Sequence, residues 1–344
     1  MNDYLEALQG EHRLLLNALP SYYPSAERTG RAIRQMMETG RANRIIFAGM
    51  GSSLYAAKSV LAQLNQNGFF SLAVNAYELI TQMPGMVDQK TILVGISQSG
   101  NTPEVITLMK YAKTTAAMTV AMFNQEESQL KGLAGEELML GVGRETPISN
   151  KTYYAQVAQL QVLACAILGE FFRDVTKEIH KAVDWHQIYV ENQQERTLPI
   201  IEFLAGTRLL DLLGDGAQGG AAQQAGLVLR EMTKFNVSSL SASDFSHGWF
   251  DTAGCGHTAV YFCDEITALD QKMIEHCLSQ GSKVLLLCAG EYLMRHKHLM
   301  KISLPQGKGG LLPLYSVVPF YFLAGIGKEK EEIGKDSWQS GEVK

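Results

Sequence analysis

Short apolar runs alternate along most of the chain with longer stretches in which apolar residues recur every three or four positions. The first kind reads as buried strand and the second as amphipathic helix, so the pattern predicts βα units around a parallel sheet. Residues 3–39 are expected to be helical, with Leu5, Leu8, Leu14, Leu15 and Leu19 spaced by polar positions. Strands are expected at 44–48, 72–75, 91–96 and 118–123, and a short one at 138–140. Helices are expected at 53–64 and from SQSGNTPE through Thr114, and a long helical stretch over 153–193 joins this half to the next.

The second half repeats the first. Gly49-Met-Gly51, SSLY and Ala56-Ala57 have the layout of Gly214-Asp-Gly216, AQGG and Ala221-Ala222. About the same offset relates 91–96 to 258–263 and 119–123 to 283–287. Three elements at one offset point to a tandem duplication of one α/β unit.

Composition narrows the class. At 344 residues the chain has room for two ordinary domains, and 46% hydrophobic residues exclude disorder. No apolar run is expected to approach the roughly 18 residues needed to span a bilayer, and the opening MNDYLEALQGEHRLLL lacks the order of a signal peptide. Cys165, Cys255, Cys263, Cys277 and Cys288 form no CxxC pair and read as reduced core residues of a cytoplasmic protein. A net charge of −5 provides no basic field, so neither nucleic acid nor a membrane is an expected partner.

Ligands of open parallel sheets bind beyond the carboxyl ends of the strands, where helix N-termini face the crevice. At the first such end, AGMGSSLYAA, a nicotinamide fingerprint would need a third glycine where Leu54 stands, and Glu78 lies beyond the usual ribose-binding spacing. Ser52 and Ser53 suit hydroxyl donors to an anion, or simply caps for the helix. The end of the 91–96 strand is sharper: Ser97-Gln98-Ser99-Gly100-Asn101-Thr102-Pro103-Glu104. Thr102 suits the N-cap, Pro103 the first helical position and Glu104 the first turn. A capped loop has no use for the extra donors Ser97, Gln98 and Ser99, so the pattern points to a phosphate cradle. The matching loop of the second half reads Cys263-Asp264-Glu265-Ile266-Thr267, and its two acids would repel phosphate. One phosphate site per chain is expected, in the first half.

These residues resemble the double SIS (sugar isomerase) domain proteins, a family that includes the isomerase half of glucosamine-6-phosphate synthase and related sugar-amine deglycases and deaminases. The resemblance covers nearly the whole chain. It implies an α/β fold of two tandem SIS domains, each a parallel sheet flanked by helices in a flavodoxin-like three-layer sandwich. The expected organisation is an N-terminal helical segment at 1–39, a first domain with its connecting helices at 40–192, a second at 193–326 and a tail at 327–344. The resemblance implies that Ser52, Ser53, Ser97, Gln98, Ser99 and Thr102 hold a sugar phosphate, and that Ser149, in Glu145-Thr-Pro-Ile-Ser149, contacts the sugar. It places the proton-moving glutamate at Glu231 and the ring-opening histidine at His247, in the frame D-F-S-H-G. Gln224 and Val228 stand where the synthase has an acid and a lysine, at i and i+4 of the face that ends at Glu231, and would change the amine pocket. In the synthase the histidine reaches the neighbouring subunit's site, which implies a homodimer or larger homo-oligomer with shared sites. Its tail lysine touches substrate, and Lys335 and Lys344 are the candidates here.

Read without the family, Glu231 could be a solvated helix end and His247 a turn residue. The other histidines, His12, His180, His186, His276, His296 and His298, show no metal spacing, with His257 just before a strand a weak exception. Neither a metal nor another cofactor is expected.

Phosphosugar isomerisation needs a phosphate anchor, a group that opens the ring and a base near C1 and C2. Apolar neighbours Leu227, Val228 and Leu229 are expected to raise the Glu231 carboxyl towards neutrality. The chain starts without the synthase's amidotransferase domain, so the favoured expectation is a deglycase. It would split a 6-phosphorylated fructosamine into an aldose 6-phosphate and an amine. An amino-sugar phosphate deaminase, an aldose–ketose isomerase and a non-catalytic phosphosugar sensor remain alternatives.

Overall fold

The computed structural model describes residues 3–145 and 148–330. They fall into two compact units, one of Gly10–Val183 and the other of the residues before Gly10 together with those from Asp184 onward.

The first unit is built on five parallel strands, β1 (Arg44–Gly49), β2 (Ser71–Asn75), β3 (Thr91–Ile96), β4 (Met118–Phe123) and β5 (Glu136–Met139), in the order β2-β1-β3-β4-β5. β3 is buried along its whole length, and β1 and β4 are buried in all but their first residue. A parallel sheet covered on both faces requires this, and it explains why these segments read as unbroken apolar runs. The helices are α1 (Asp3–Glu38), α2 (Ser52–Gln66), α3 (Ala76–Gln82), α4 (Pro103–Thr115) and α5 (Lys151–Leu168), with α6 (Phe172–Glu191) running on past the end of the unit. On one side Ile46, Leu93 and Phe123 of the sheet pack with Leu79 of α3 and Val105 and Met109 of α4. α5 packs on α2, and every residue from Thr152 to Ile167 is buried.

The single helical stretch expected over 153–193 is broken. α5 ends at Gly169, whose φ of +75° continues no right-handed helix and which abuts the Arg34 guanidinium. α6 ends at Glu191, and α7 (Gln193–Leu204) follows. A helix apolar on all sides, as α5 is, carries little periodicity to mark its ends.

The second unit has strands β6 (Leu209–Gly214), β7 (Val237–Leu240), β8 (His257–Cys263), β9 (Lys283–Cys288) and β10 (Leu299–Ser303). They are all parallel, in the order β7-β6-β8-β9-β10, the topology of the first sheet. Both sheets thus follow the flavodoxin-like order 2-1-3-4-5. Around this sheet lie α7, α8 (Gly216–Thr233), α9 (Ala242–Phe245), α10 (Ala268–Ser279), α11 (Pro313–Ser316) and α12 (Val318–Lys330). The edge strands β7 and β10 were not foreseen; they are short and only partly buried, with Ser238, Ser239 and Lys301 in them.

One expectation from composition is overturned. Gly309–Gly327, 19 residues with a mean hydropathy of 1.5, is long and apolar enough to cross a membrane. It is 89% buried inside its unit, and α12 packs on α7 and α8. The run was overlooked because glycine, proline and tyrosine punctuate it.

Candidate functional site

In the first sheet β1 and β3 are neighbours whose following helices leave in different directions, β1 pairing β2 on its other edge and β3 pairing β4. At such a switch point the strand ends part and leave a crevice between two helix N-termini. Here those are α2, entered through Gly51, and α4, entered through Thr102.

The β3–α4 loop is held by its own hydroxyls. Ser97, buried at the end of β3, shares a 2.7 Å hydrogen bond with Thr102 and accepts from the Gly100 N–H at 3.1 Å. Ser99 Oγ accepts from the Asn101 N–H at 3.2 Å, and Gln98 O accepts from the Asn124 N–H at 3.1 Å. Thr102 occupies the N-cap, with Pro103 at the first helical position and Glu104 in the first turn, as the spacing predicts. Its side chain, however, makes no capping bond, its hydroxyl instead meeting that of Ser97. The first N–H groups of α4 are therefore left to an outside acceptor. α2 also has no side-chain cap, since Gly51 carries none, although the Ser53 N–H donates to Met50 O at 3.1 Å.

Ser52 is half-buried at the first position of α2. Ser53 is buried and turned towards α5, where its Oγ accepts from Gln156 Nε2 at 3.0 Å. Ser149 lies just ahead of α5, its Oγ sharing a 3.1 Å hydrogen bond with Thr152. The Glu145 carboxylate accepts from the backbone N–H groups of Thr152, at 2.8 Å, and Asn150, at 3.3 Å. The N-terminus of α5 thus already faces a carboxylate of its own chain.

The equivalent ends of the second sheet are built differently. α10 carries a full capping box, Thr267 Oγ1 accepting from the Asp270 N–H and the Asp270 carboxylate accepting from the Thr267 N–H. Asp264 and Glu265 stand in the β8–α10 loop, and burial pushes the Asp264 carboxyl up while the nearby Gln218 side chain opposes it. Asp215, the N-cap of α8, accepts from Ser241 Oγ at 2.7 Å and from the Ser243 N–H at 3.2 Å. Three carboxylates and a closed cap make this end a poor place for a phosphate.

Glu231 lies in the last turn of α8 and is surface-exposed. Surrounding protein still desolvates its carboxyl enough to raise it above the ordinary value, and Lys234 works in the opposite direction. The face behind it is closed: Gln224 and Val228 are fully buried, and Gln224 Nε2 donates to the Tyr321 hydroxyl of α12 at 3.3 Å. Neither side chain is open to solvent. His247 is exposed just past α9, its N–H donating to Asp244 O at 2.9 Å, with Trp249, 53% exposed, two residues on. The described residues of each unit hold their predicted site residues as stated; Lys335 and Lys344 lie outside the described residues.

Two positions escaped the sequence reading. Gln156 sits with Gln159 and Gln161 in an otherwise apolar helix, and such buried amides were the available signal. Asp215 stood inside the repeated glycine motif, but nothing local showed that it would tie the β6–α8 turn to the segment leading to His247. His257 opens β8 as a buried residue, its Nε2 3.1 Å from Asp211 Oδ2 and its Nδ1 2.9 Å from Ser282 Oγ.

Comparison with known proteins agrees with the fold. The chain is 26% identical over 300 residues, 83% of its length, to glutamine–fructose-6-phosphate aminotransferase (isomerizing) of Thermococcus kodakarensis, and covers 49% of that protein. It is 26% identical over 290 residues to the Pyrococcus horikoshii protein of the same name, again covering 82% of this chain and 48% of the other. The chain thus spans about half the length of these relatives. Among solved structures, tagatose-6-phosphate ketose/aldose isomerase from Escherichia coli superposes with a TM-score of 0.78 at 15% identity, over 96% of this chain and 93% of that one. The C-terminal domain of glucosamine-fructose-6-phosphate aminotransferase from Francisella tularensis does so with a TM-score of 0.75 at 17% identity, over 91% and 94%. At these identities the likeness is one of fold. Residues 40–168 match the model of the SIS domain family.

Proposed function

We propose that this chain is a phosphosugar-processing enzyme that anchors the phosphate at the β1/β3 crevice of its first unit. The observation that carries this reading is the Ser97–Thr102 hydroxyl pair. It spends the N-cap side chain inside the loop and so leaves the α4 amides, beside those of α2, to an anion. Relatives named as aminotransferases of fructose 6-phosphate support a sugar phosphate as that anion.

For the chemistry we propose a deglycase. Glu231, its carboxyl raised by desolvation, takes a proton from C1 of a 6-phosphorylated fructosamine to give an enaminol and returns one at C2. Water then splits the imine into an aldose 6-phosphate and the amine. His247 opens the sugar ring by giving a proton to the ring oxygen and taking one from the hydroxyl. Its exposure next to Trp249 suits a surface that a second copy of the chain would cover, as a homodimer with shared sites requires.

The test follows glucose 6-phosphate by a coupled assay after mixing purified protein with a 6-phosphorylated fructosamine, wild type against Glu231→Gln. Release by the wild type that disappears in the variant supports the deglycase. Binding without release from either protein refutes it; ammonia and fructose 6-phosphate formed from glucosamine 6-phosphate, or a ketose phosphate converted to its aldose, would assign deamination or isomerisation instead. Binding with no turnover of any of them would make the protein a sensor.

A further inference from the structure

Cys263 and Cys288 end two adjacent strands of the second sheet and are register partners across β8 and β9. Residues paired in this way project from the same face. Neighbouring strands lie about 4.8 Å apart, inside the roughly 4.4–6.8 Å between Cα atoms that a disulfide bridges. The sulfurs reach towards each other's strand: Cys263 Sγ lies 3.6 Å from Leu287 O and Cys288 Sγ 3.5 Å from Asp264 O. Cys288 is fully buried while Cys263 is partly exposed, so small solutes reach the pair from the Cys263 side.

The surroundings make one sulfur more acidic than the other. The neighbouring Cys263 side chain, the Gly290 N–H and the Lys301 ammonium all hold the Cys288 thiol below the usual cysteine range, against burial and Asp264. The proximity of Cys288 and burial push Cys263 up. Lys301 is fixed beside the pair by donating to Gly290 O at 2.9 Å. An acidified thiol with a second cysteine paired to it on the next strand is the arrangement that redox cysteines need. Neither sulfur has a part in the sugar chemistry proposed above.

We propose that Cys263 and Cys288 form a reversible dithiol–disulfide site, oxidised by peroxide. One sulfur attacks an oxygen of hydrogen peroxide, the O–O bond breaks, and a sulfenic acid and water result. The second sulfur displaces the sulfenic hydroxyl as another water, and the S–S bond forms. Two thiols thus lose two protons and two electrons, which reduce one peroxide to two waters. A dithiol reductant reverses the step. The bridge would tie the Asp264 and Gly290 loops, already joined by the Gly290 N–H to Asp264 O bond at 2.9 Å, across the carboxyl end of the sheet.

The experiment reduces the purified full chain, removes the reductant, adds one equivalent of hydrogen peroxide, blocks free thiols with iodoacetamide and maps the cysteines by mass spectrometry. The expected result is a peptide linking Cys263 to Cys288, an intact mass lower by two hydrogens, and full reversal by dithiothreitol. The Cys263→Ser variant is expected to retain its mass defect nowhere and to accumulate oxygen on Cys288 instead. Both cysteines alkylated after peroxide, sulfinic acid at either without a link in the wild type, or a link that uses Cys255 would each overturn the proposal. The wild-type map decides even if the variant fails to fold.

Discussion

Replacing Gly100 by alanine probes the loop on which the phosphate site depends. Gly100 has a φ of +66°, and an alanine held there costs about 1–2 kcal/mol from the clash of its Cβ with its own backbone. The added Cβ would also stand 2.3 Å from Ser128 Cβ and 2.5 Å from Ser128 Oγ. Ser128 Cβ is fixed to its backbone, so one of the two loops must move, an overpacking cost of roughly 1–3 kcal/mol. Together these give a destabilisation on the order of 2–5 kcal/mol, or roughly 5–15 °C in melting temperature for a unit of this size. The movement also disturbs the Gly100 N–H to Ser97 bond and the bond from the Leu130 N–H to Gly100 O, so affinity for the sugar phosphate should fall with stability. Thermal unfolding by circular dichroism and calorimetric titration with glucose 6-phosphate read the two effects. Adding Ser128→Gly to the variant removes the clash but not the backbone cost, and should restore part of the loss. A Gly100→Ala protein that melts within about 1 °C of wild type and binds equally well would refute the argument.

Two further outcomes follow from groups away from the crevice. Burial, followed by the charge of Glu145, raises the Glu11 carboxyl well above its ordinary value, against Lys151. Its folded value is the higher one, so its contribution to stability is complete below an unfolded pKa of about 4.3 and is lost as pH rises through the raised value. Glu11→Gln should therefore gain in melting temperature over wild type as pH goes from 4 towards 7, and a gap that is constant or shrinks over that range would contradict the burial. Asp211→Ala leaves the buried His257 Nε2 without its carboxylate partner and should cost roughly 2–5 kcal/mol in urea unfolding. A loss below about 0.5 kcal/mol would mean the pair contributes little.

What could be read from sequence and what could not differ for physical reasons. The strands 91–96 and 118–123 were located to the residue because a strand buried on both faces must be apolar throughout. β7 and β10 were missed because edge strands tolerate serine and lysine and owe their conformation to the neighbour they pair with. The offset between the repeats fixed the duplication before any strand order was known. Within the site, the cap position of Thr102 was legible, since it depends on a local run of residue types. The use of its hydroxyl was not, because Ser97 and Thr102 meet only once the loop has turned at Gly100. Ser53 was read as an anion donor, and its acceptance of a hydrogen bond from Gln156, 103 positions away, belongs to the packing of α2 on α5. The amine-pocket expectation for Gln224 and Val228 rests on the synthase's acid and lysine at these positions of one helical face. That α12 closes over this face, with Tyr321 meeting Gln224, could not be inferred from α8 alone.

The sequence by itself determined the repeating α/β plan, the donor-rich loop after β3 and the acidic loop after β8, because periodicity, turn chemistry and charge are local properties of the chain. The tertiary structure decided which of those donors remain unspent, which helix faces stay open and which two cysteines stand side by side. Each of these depends on contacts between residues far apart in sequence, and only the packed fold brings them together.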